Sequence, residues 1–381
     1  MSILTDIWAL AGYVLPFLFV LSLVVFFHEL GHFLIGRWCG VKVDTFSLGF
    51  GPELFGFNDR HGTHWRVAAF PLGGYVKFHG DANGASMSDE AALAAMPPGE
   101  RAVSFVAQNV WKRAAIVAAG PLANFLLAIV IFTGIFYVNG RAILLPMVDR
   151  VAAGSAAEAA GFRPGDLIVS IDGIKVDSFE DMQRVVQSAS GTQLVFGVDR
   201  GGKLVQLVAT PRRRDVVTPF GTTRVAIIGV QAVSKPENWH VQHYGFAGSV
   251  KLAGSETWYV VARTGGYVKG LVAGTETADQ LSGPIRIAEV SEARAKIGLA
   301  ALLDLAAILS ISVGMLNLLP IPLLDGGHLL YYATEAIRGK PMSAKAQQFG
   351  FTVGFTLVTS LIAFATYNDI LRLTRQWMHW G

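Results

Sequence analysis

The chain is poor in charged residues and almost without cysteine. Only 15% of its 381 residues are charged and 52% are hydrophobic, which is more apolar than soluble domains usually are. The single cysteine, Cys39, excludes an intramolecular disulfide, so the fold does not depend on an oxidising compartment. A net charge of +3 with scattered positive residues argues against a nucleic-acid-binding face. We therefore expect a membrane protein with no nucleic-acid partner.

The first ten residues contain no lysine or arginine, which argues against the basic start of a signal peptide. An apolar run from about Trp8 to Ile35 is long enough to cross a hydrocarbon core, which needs about 20 helical residues. Similar runs cover about 114–138, 297–319 and 349–367. Positive residues such as Arg37, Lys112 and Arg113 follow or precede these runs. The positive-inside bias then predicts four spans with both termini outside the cytoplasm.

The segments between the apolar runs differ in character, and together they predict a polytopic α-helical membrane protein. Glycine and proline punctuate two strand-like stretches before the second span, which indicates a membrane-associated β-hairpin sheet with a short helix over 88–105. The stretch from about His240 to Thr277 is typical of an interfacial amphipathic helix, with a short buried helix as the alternative. The predicted organisation is a first span, 1–36; a hairpin region, 37–112; a second span, 113–139; an extracytoplasmic α+β domain, 140–215; a segment with the amphipathic helix, 216–296; a third span, 297–337; and a loop, fourth span and tail, 338–381.

Three ionisable residues interrupt the first apolar run. His28 and His32 are four positions apart, so on a helix both imidazoles project from one face and can share a metal, with Glu29 beside them as general base. Ionisable groups inside a membrane are costly, and three within five residues need a metal or one another. The alternative is that they lie solvated at the interface and merely end the helix.

A catalytic zinc usually takes three protein ligands, so a third donor is needed. Asp325 is the best candidate, because prolines before it break the helix and Gly326 after it permits a tight turn at membrane depth. His328 is a rival ligand close by, with an outer-sphere or interfacial role as its alternative.

At these residues the chain resembles the site-2 protease family of intramembrane zinc metalloproteases, most closely its bacterial regulator-of-sigma-E group. HELGH at 28–32 and NLLPIPLLDG at 317–326 resemble the two signature motifs of that family. GFGP at 49–52, PLGGYVKF at 71–78, GPLAN at 120–124 and SGPI at 282–285 are also similar to family segments. The resemblance implies that His28, His32 and Asp325 bind Zn²⁺ and that Glu29 is the catalytic base.

The resemblance also implies where substrate binds. The hairpin stretch 42–78 is expected to re-enter the membrane and to offer a sheet edge to an extended substrate, with Gly49, Phe50 and Gly51 near the cleft. Asn317 is expected to hold substrate backbone. The alternatives are plain turns for the glycines and a helix C-terminal cap for Asn317.

GFRPGDLIVSIDG at 161–173 resembles the core of the PDZ domains found in bacterial proteases. Such a domain binds extended chains or acts as a steric filter that keeps bulky ectodomains from the active site. Only one such motif occurs, whereas the best-known members of the family carry two, so a single PDZ-like domain is expected here.

The expected function is regulated intramembrane proteolysis in the bacterial cytoplasmic (inner) membrane, with the active site toward the cytoplasm. The expected partners are the lipid bilayer and single-span proteins of the anti-sigma-factor type whose ectodomains have been trimmed. Clearance of remnant signal peptides is the alternative within the same chemistry. A metal transporter and a non-catalytic PDZ scaffold are disfavoured, because Glu29 and the full ligand set are present.

Overall fold

A computed structural model describes residues 3–80, 96–218, 221–232, 238–274 and 283–378. The chain divides into two compact units. The first comprises Met1–Gly134, Ser249–Val268 and Leu281–Gly381, and the second comprises Ile135–Gly248 and Lys269–Gln280.

Long helices dominate the first unit. Its helices are α1 (Ile3–Trp38), α2 (Pro98–Val103), most of α3 (Val110–Val138), α7 (Pro284–Ile297), α8 (Leu299–Asn317), α9 (Asp325–Arg338) and α10 (Ala344–Met378). Four segments, Ala11–Trp38, Val110–Val138, Leu299–Asn317 and Lys345–Thr374, are long and apolar enough to cross a membrane. The four apolar helices predicted from the sequence are therefore confirmed, and α2 lies in the described part of the helix expected over 88–105.

The predicted hairpin sheet is formed by β1 (Val43–Asn58) and β2 (His64–Phe78), which pair antiparallel. Each strand bends back on itself, because Phe46 pairs with both Val76 and Trp65. The strand segments follow one another across the sheet in the order 74–78, 43–48, 64–68 and 53–58. Segment 74–78 therefore lies at one edge of the sheet.

Aromatic packing attaches this sheet to the helices. Phe46 is 2% exposed and stacks on Trp65 with ring centroids 4.3 Å apart, while Phe33 of α1 meets both rings edge-on. Phe78 and Phe105 stack at 5.0 Å in the same core. Burying side chains of this size contributes about 2 kcal/mol each, so α1 and the sheet form one rigid support.

The second unit is an α+β domain. Its strands are β3 (Arg141–Leu144), β4 (Arg150–Val151), β5 (Leu167–Ile171), β6 (Ile174–Lys175), β7 (Leu194–Arg200), β8 (Lys203–Ala209), β9 (Arg212–Thr218), β10 (Gly221–Ile227), β11 (Val230–Gln231) and β12 (Trp239–Gln242), with helices α4 (Ala156–Ala160) and α5 (Phe179–Ser188). A four-stranded antiparallel sheet in the order β6-β5-β7-β8 covers a core that includes Phe162, Ile168 and Phe196. Ser178 caps α5 by accepting a hydrogen bond from the Asp181 amide at 3.0 Å.

Asp166 anchors the turn before β5. Its buried carboxylate accepts hydrogen bonds from the Arg163 amide at 2.8 Å and from the Arg200 guanidinium at 2.7 and 2.8 Å. Burial alone would raise the pKa of this carboxyl, but the hydrogen bonds from Arg200 and Arg163 hold it below its usual range. The Gly165-Asp166 turn of the PDZ-like motif is therefore fixed by an ionic contact between distant strands.

The second unit continues past residue 215, where the sequence predicts its end. β12 pairs with β3 from Trp239↔Leu144 to Gln242↔Arg141, and β11 pairs with β4. These partners are separated by long stretches of sequence, so local patterns carry no signal for the pairing. The helix that follows, α6 (Phe246–Val272), lies where the amphipathic helix is predicted, and its residues Ser249–Val268 belong to the first unit. Its interfacial position stays a prediction, and Thr277 and Ser282 fall outside the described residues.

Candidate metal centre

Two helices bring three metal-binding side chains together. On α1 the Nε2 atoms of His28 and His32 lie 3.2 Å apart, as the spacing of one helical turn predicts. Asp325, in the first turn of α9, places Oδ2 3.2 Å from His28 Nε2 and Oδ1 3.6 Å from His32 Nε2. All three donor atoms lie within 4.8 Å of one another. A single divalent cation can therefore contact all three.

The chemistry of this cluster fits zinc. Asp325 Oδ2 is buried beside His28 Nε2 but accepts no hydrogen bond of good geometry in the described part of the chain. A buried carboxylate oxygen without a donor or a cation is costly. Two imidazole nitrogens and one carboxylate oxygen form a donor set that catalytic zinc sites use, with a fourth position left for water.

The histidine rings are held by partners on α3. His32 Nδ1 lies 2.9 Å from the Ile116 carbonyl oxygen, so it carries the proton and leaves Nε2 free to bind a metal. Asn124 Nδ2 lies 3.2 Å from His28 Nδ1, while Asn124 Oδ1 is buried and has no hydrogen-bond partner among the described residues. Metal binding through His28 Nε2 requires the proton on Nδ1, so the amide must turn its oxygen toward the ring. That rotation also gives Oδ1 a donor.

Close helix packing makes these contacts possible. A Cβ at Gly31 of α1 would overlap the backbone of Ala119, and a Cβ at Gly120 of α3 would overlap the His32 ring. Small residues let apolar helices approach to backbone contact. The two glycines therefore bring α3 near enough for its carbonyl and amide groups to reach the histidines.

The turn that carries Asp325 has unusual backbone. After α8 ends at Asn317 the chain runs through two prolines, and Leu323 has a φ of 114°, which is rare for a residue with a side chain. Any Cβ at Gly326 would overlap the backbone of Leu318 and Leu319. This compact turn points the Asp325 carboxylate back at α1.

Glu29 lies next to the cluster and against the sheet edge. The backbone of Val76 lies beside its carboxylate. A Cβ built on Gly74 would lie 3.0 Å from Glu29 Cγ. The predicted base and segment 74–78 are therefore direct neighbours.

The other predicted site residues lie at different distances from the cluster. Asn317 Nδ2 is 3.5 Å from His28 Nε2. Gly49 and Gly51 have φ values of 91° and 89° at the bend of β1, where a side chain would be strained. Phe50 between them is 47% exposed and stacks on Tyr75 with centroids 6.1 Å apart. Their role in binding substrate stays a prediction.

His328 does not join the three donors. Its ring lies 6.2 Å from that of Tyr331 and 6.5 Å from that of Tyr332, between centroids. In the part of the chain that the structure describes, the side chains that together can hold a metal are His28, His32 and Asp325. This arrangement favours an outer-sphere or interfacial role for His328 over a role as metal ligand.

Gly120 and Asn124 belong to the GPLAN segment that resembles the family, but their contacts with the histidines are not predicted from the sequence. The available signal was a lone amide in the apolar run 114–138, since polar groups in such helices usually have a partner. The partner, His28, is 96 residues away along the chain, so no local spacing reveals it.

One protein family and several curated relatives match nearly the whole chain. The sequence model of peptidase family M50 matches residues 16–361 of this chain. A candidate zinc metalloprotease of Agrobacterium fabrum is 48% identical, covering 96% of this chain and 97% of its own. Metalloprotease MmpA of Caulobacter vibrioides is 39% identical, covering 93% of this chain and 94% of its own. Among solved structures, the PDZ domain of an SdrC-like protein of Listeria monocytogenes is 25% identical over 22% of this chain and 82% of its own, with a TM-score of 0.18.

Proposed function

This chain belongs to peptidase family M50 and is a zinc metalloprotease, and from that premise we propose that it cleaves peptide bonds within or beside membrane-spanning segments. The observation that carries the proposal is the position of the donors. His28 and His32 lie within Ala11–Trp38, a helix segment apolar enough to span a membrane, and Asp325 follows the apolar helix α8. Ionisable groups on membrane-spanning helices mark functional sites, and donors placed there lie within reach of a substrate segment that is itself in the membrane.

We propose that His28, His32 and Asp325 hold the zinc ion. Bound there, zinc would act as a Lewis acid and would lower the pKa of a water molecule. Glu29 takes the proton of the attacking water and delivers it to the leaving amine. Segment 74–78, which lies against the Glu29 side chain at Gly74, holds this base in place. Hydrolysis then needs no covalent enzyme intermediate.

Segment 74–78 is the proposed substrate-binding edge. A membrane helix hides its peptide bonds in its own hydrogen bonds, so the segment to be cut must unwind. A sheet edge can capture the unwound chain by adding it as a strand. The contact between this edge and Glu29 supports the proposal, and Asn317, whose amide nitrogen lies 3.5 Å from His28 Nε2, is proposed to hold the substrate backbone.

The proposed substrates are single-span proteins whose ectodomains have been trimmed, such as anti-sigma factors, in the bacterial inner membrane. The PDZ-like second unit is proposed to filter them by size. Clearance of remnant signal peptides uses the same residues and is the competing assignment of substrate.

The test is cleavage of a tagged single-span substrate that lacks its ectodomain, in a host without an endogenous enzyme of this kind. We expect wild type to cut it and Glu29→Gln to leave it intact, because an amide cannot accept the proton. The matched control is Glu100→Gln, at an exposed position of α2, which should cut like wild type.

Zinc content should be equal in all three proteins, since Glu29 is not one of the three donors. Processing by Glu29→Gln at the wild-type rate would refute its role as base. A parallel substrate carrying only a remnant signal peptide decides between the two substrate classes by its relative rate of cleavage.

A further inference from the structure

Arg113, near the start of α3, joins that helix to α9. Its Nη2 atom donates a hydrogen bond to Glu335 Oε1 of α9, and its Nε atom donates to the Gln108 carbonyl oxygen at 3.1 Å. The side chains of Arg113 and Glu335 are only 12% and 17% exposed, so water and salt screen the pair weakly. Removing one partner of such a pair leaves the other charge buried without compensation, which loosens the contact between the two helices.

The same guanidinium lies over an aromatic ring of α9. Arg113 Cζ is 4.9 Å from the centre of the Tyr332 ring, a distance typical of a cation–π contact. Tyr332 is buried in the aromatic core that also contains Phe33 of α1 and Phe78 of the sheet. The guanidinium is therefore held by a carboxylate, a carbonyl oxygen and a buried ring.

Both helices that Arg113 joins reach the metal centre. On α3, Ile116 follows Arg113 by three residues, and its carbonyl oxygen lies 2.9 Å from His32 Nδ1. On α9, Tyr332 follows Asp325 by seven residues, which is about two helical turns, so both side chains project from the same face of that helix. The contact thus links the helix that orients a histidine to the helix that carries the third donor.

The turn before α9 attaches this helix at its first residues only. The backbone of that turn is compact, with a φ of 114° at Leu323 and no room for a Cβ at Gly326. A helix attached at one end can still tilt and can rotate about its axis, and both motions redirect a carboxylate in its first turn. Metal donors must be held within about 0.5 Å of their working positions. Contacts at Tyr332 and Glu335, about two and three turns further along, restrict both motions.

We propose that Arg113 is a positioning residue of the metal centre. By holding α9 against α3, it keeps the Asp325 carboxylate at the distance and angle from His28 and His32 that a shared zinc ion requires. It acts through α9 and not by contact with the metal. The assignment rests on the proposed function, in which those three side chains hold zinc.

Arg37 provides a closely matched control. Its Nη1 atom pairs with Asp59 Oδ2 at 3.3 Å, and its Cζ atom lies 5.4 Å from the centre of the Phe33 ring. Arg37 therefore makes the same two kinds of contact as Arg113, in the same unit and near the end of the helix that carries both histidines. Its ion pair joins α1 to the turn between β1 and β2, however, and not to α9.

The first measurement is the rate at which the full-length protein, loaded with zinc in detergent, loses the metal to an excess of chelator. Arg113→Met should release zinc at least about tenfold faster than wild type, since loss of a group that orients a metal ligand typically costs 10–100-fold in affinity. Glu335→Gln should show a smaller increase, because its amide oxygen still accepts a hydrogen bond but carries no charge. Arg37→Met should release zinc at the wild-type rate. Equal rates in Arg113→Met and Arg37→Met would overturn the proposal.

The visible spectrum of the protein with Co²⁺ in place of zinc separates positioning from general stability, because it depends on the geometry of the ligands. We expect the bands of Arg113→Met and Glu335→Gln to differ from those of wild type, and the bands of Arg37→Met to match them, whatever the thermal unfolding midpoint of each variant. Glu335→Gln keeps the shape of the side chain, so it decides the question if Arg113→Met fails to fold. A wild-type spectrum and wild-type zinc release in Glu335→Gln would then overturn the proposal.

Asp325→Ala tests the premise separately, because the proposed function predicts that this variant loses zinc faster than all the others. If Asp325→Ala retains zinc like wild type, the proposed donor set fails, and the positioning role fails with it. If Asp325→Ala loses zinc while Arg113→Met and Glu335→Gln behave like Arg37→Met, only the positioning role fails, and the proposed metal centre stands.

Discussion

At the scale of single residues, the partners of the two histidines matter as much as the donors. His32 is held by a backbone carbonyl, which no side-chain substitution can remove, whereas His28 depends on the side chain of Asn124. Such outer partners fix the tautomer and orientation of a ligand, and their loss typically costs 10–100-fold in metal affinity. Asn124 is therefore the point at which the metal centre can be weakened without touching a donor.

We expect Asn124→Leu to lower zinc affinity by about 10–100-fold, because His28 Nδ1 loses its acceptor and the ring loses its orientation. Asn124→Asp should retain affinity close to wild type, since a carboxylate oxygen can accept the same proton. The measurement is competition for zinc against a chelator of known affinity. Equal affinities in Asn124→Leu and wild type would show that the amide does not orient the ring.

At the scale of elements, the sequence predicts those structural features that leave a local pattern of residue types and spacing. The spacing of His28 and His32 on a helix, the four apolar helices and the strands around Gly49 all leave such a signal. The folding back of β1, which lets Phe46 pair on both sides, leaves none. Nor does the approach of α9 to α1, because it depends on backbone packing in the turn before Asp325 rather than on a side-chain pattern.

The last helix also supports this turn. A Cβ at Gly354 of α10 would overlap the Pro322 carbonyl oxygen, and one at Gly350 would overlap the Tyr331 hydroxyl. In consequence, the backbone of α10 rests directly on the proline-containing segment that leads to Asp325. A side chain at Gly354 must displace that segment.

We expect Gly354→Ala to destabilise the protein by about 1–3 kcal/mol, the usual cost of overpacking, and to speed the loss of zinc to a chelator. Gly134→Ala is the control, since a Cβ there meets no atom within 4 Å and alanine favours the helix. The thermal unfolding midpoint and the rate of zinc release measure both effects. If Gly354→Ala matches Gly134→Ala in both, the packing of α10 does not position Asp325.

At the scale of the whole molecule, the two units have separate cores. Aromatic residues around Phe46 hold the sheet to the helices in the first unit, and residues around Phe196 form the core of the second. The larger part of the second unit, Ile135–Gly248, has β3 near its start and β12 near its end, while Lys269–Gln280 also belong to this unit. Because Arg141 pairs with Gln242, these two strands are neighbours. Neighbouring antiparallel residues lie about 5 Å apart, so a short linker can join them.

This adjacency makes the proposed size filter testable by excision. Replacing residues 141–242 with a short glycine–serine linker should leave cleavage of a truncated single-span substrate close to the wild-type rate. Wild type should cut the same substrate with its folded ectodomain at least about tenfold more slowly, whereas in the excised protein the two rates should converge, because no bulky unit obstructs the ectodomain. The control is the excised protein with Glu29→Gln, which should cut neither. If the excised protein cuts the truncated substrate normally and still rejects the ectodomain, the filter lies in the first unit, at the sheet edge that must accept the unwound chain.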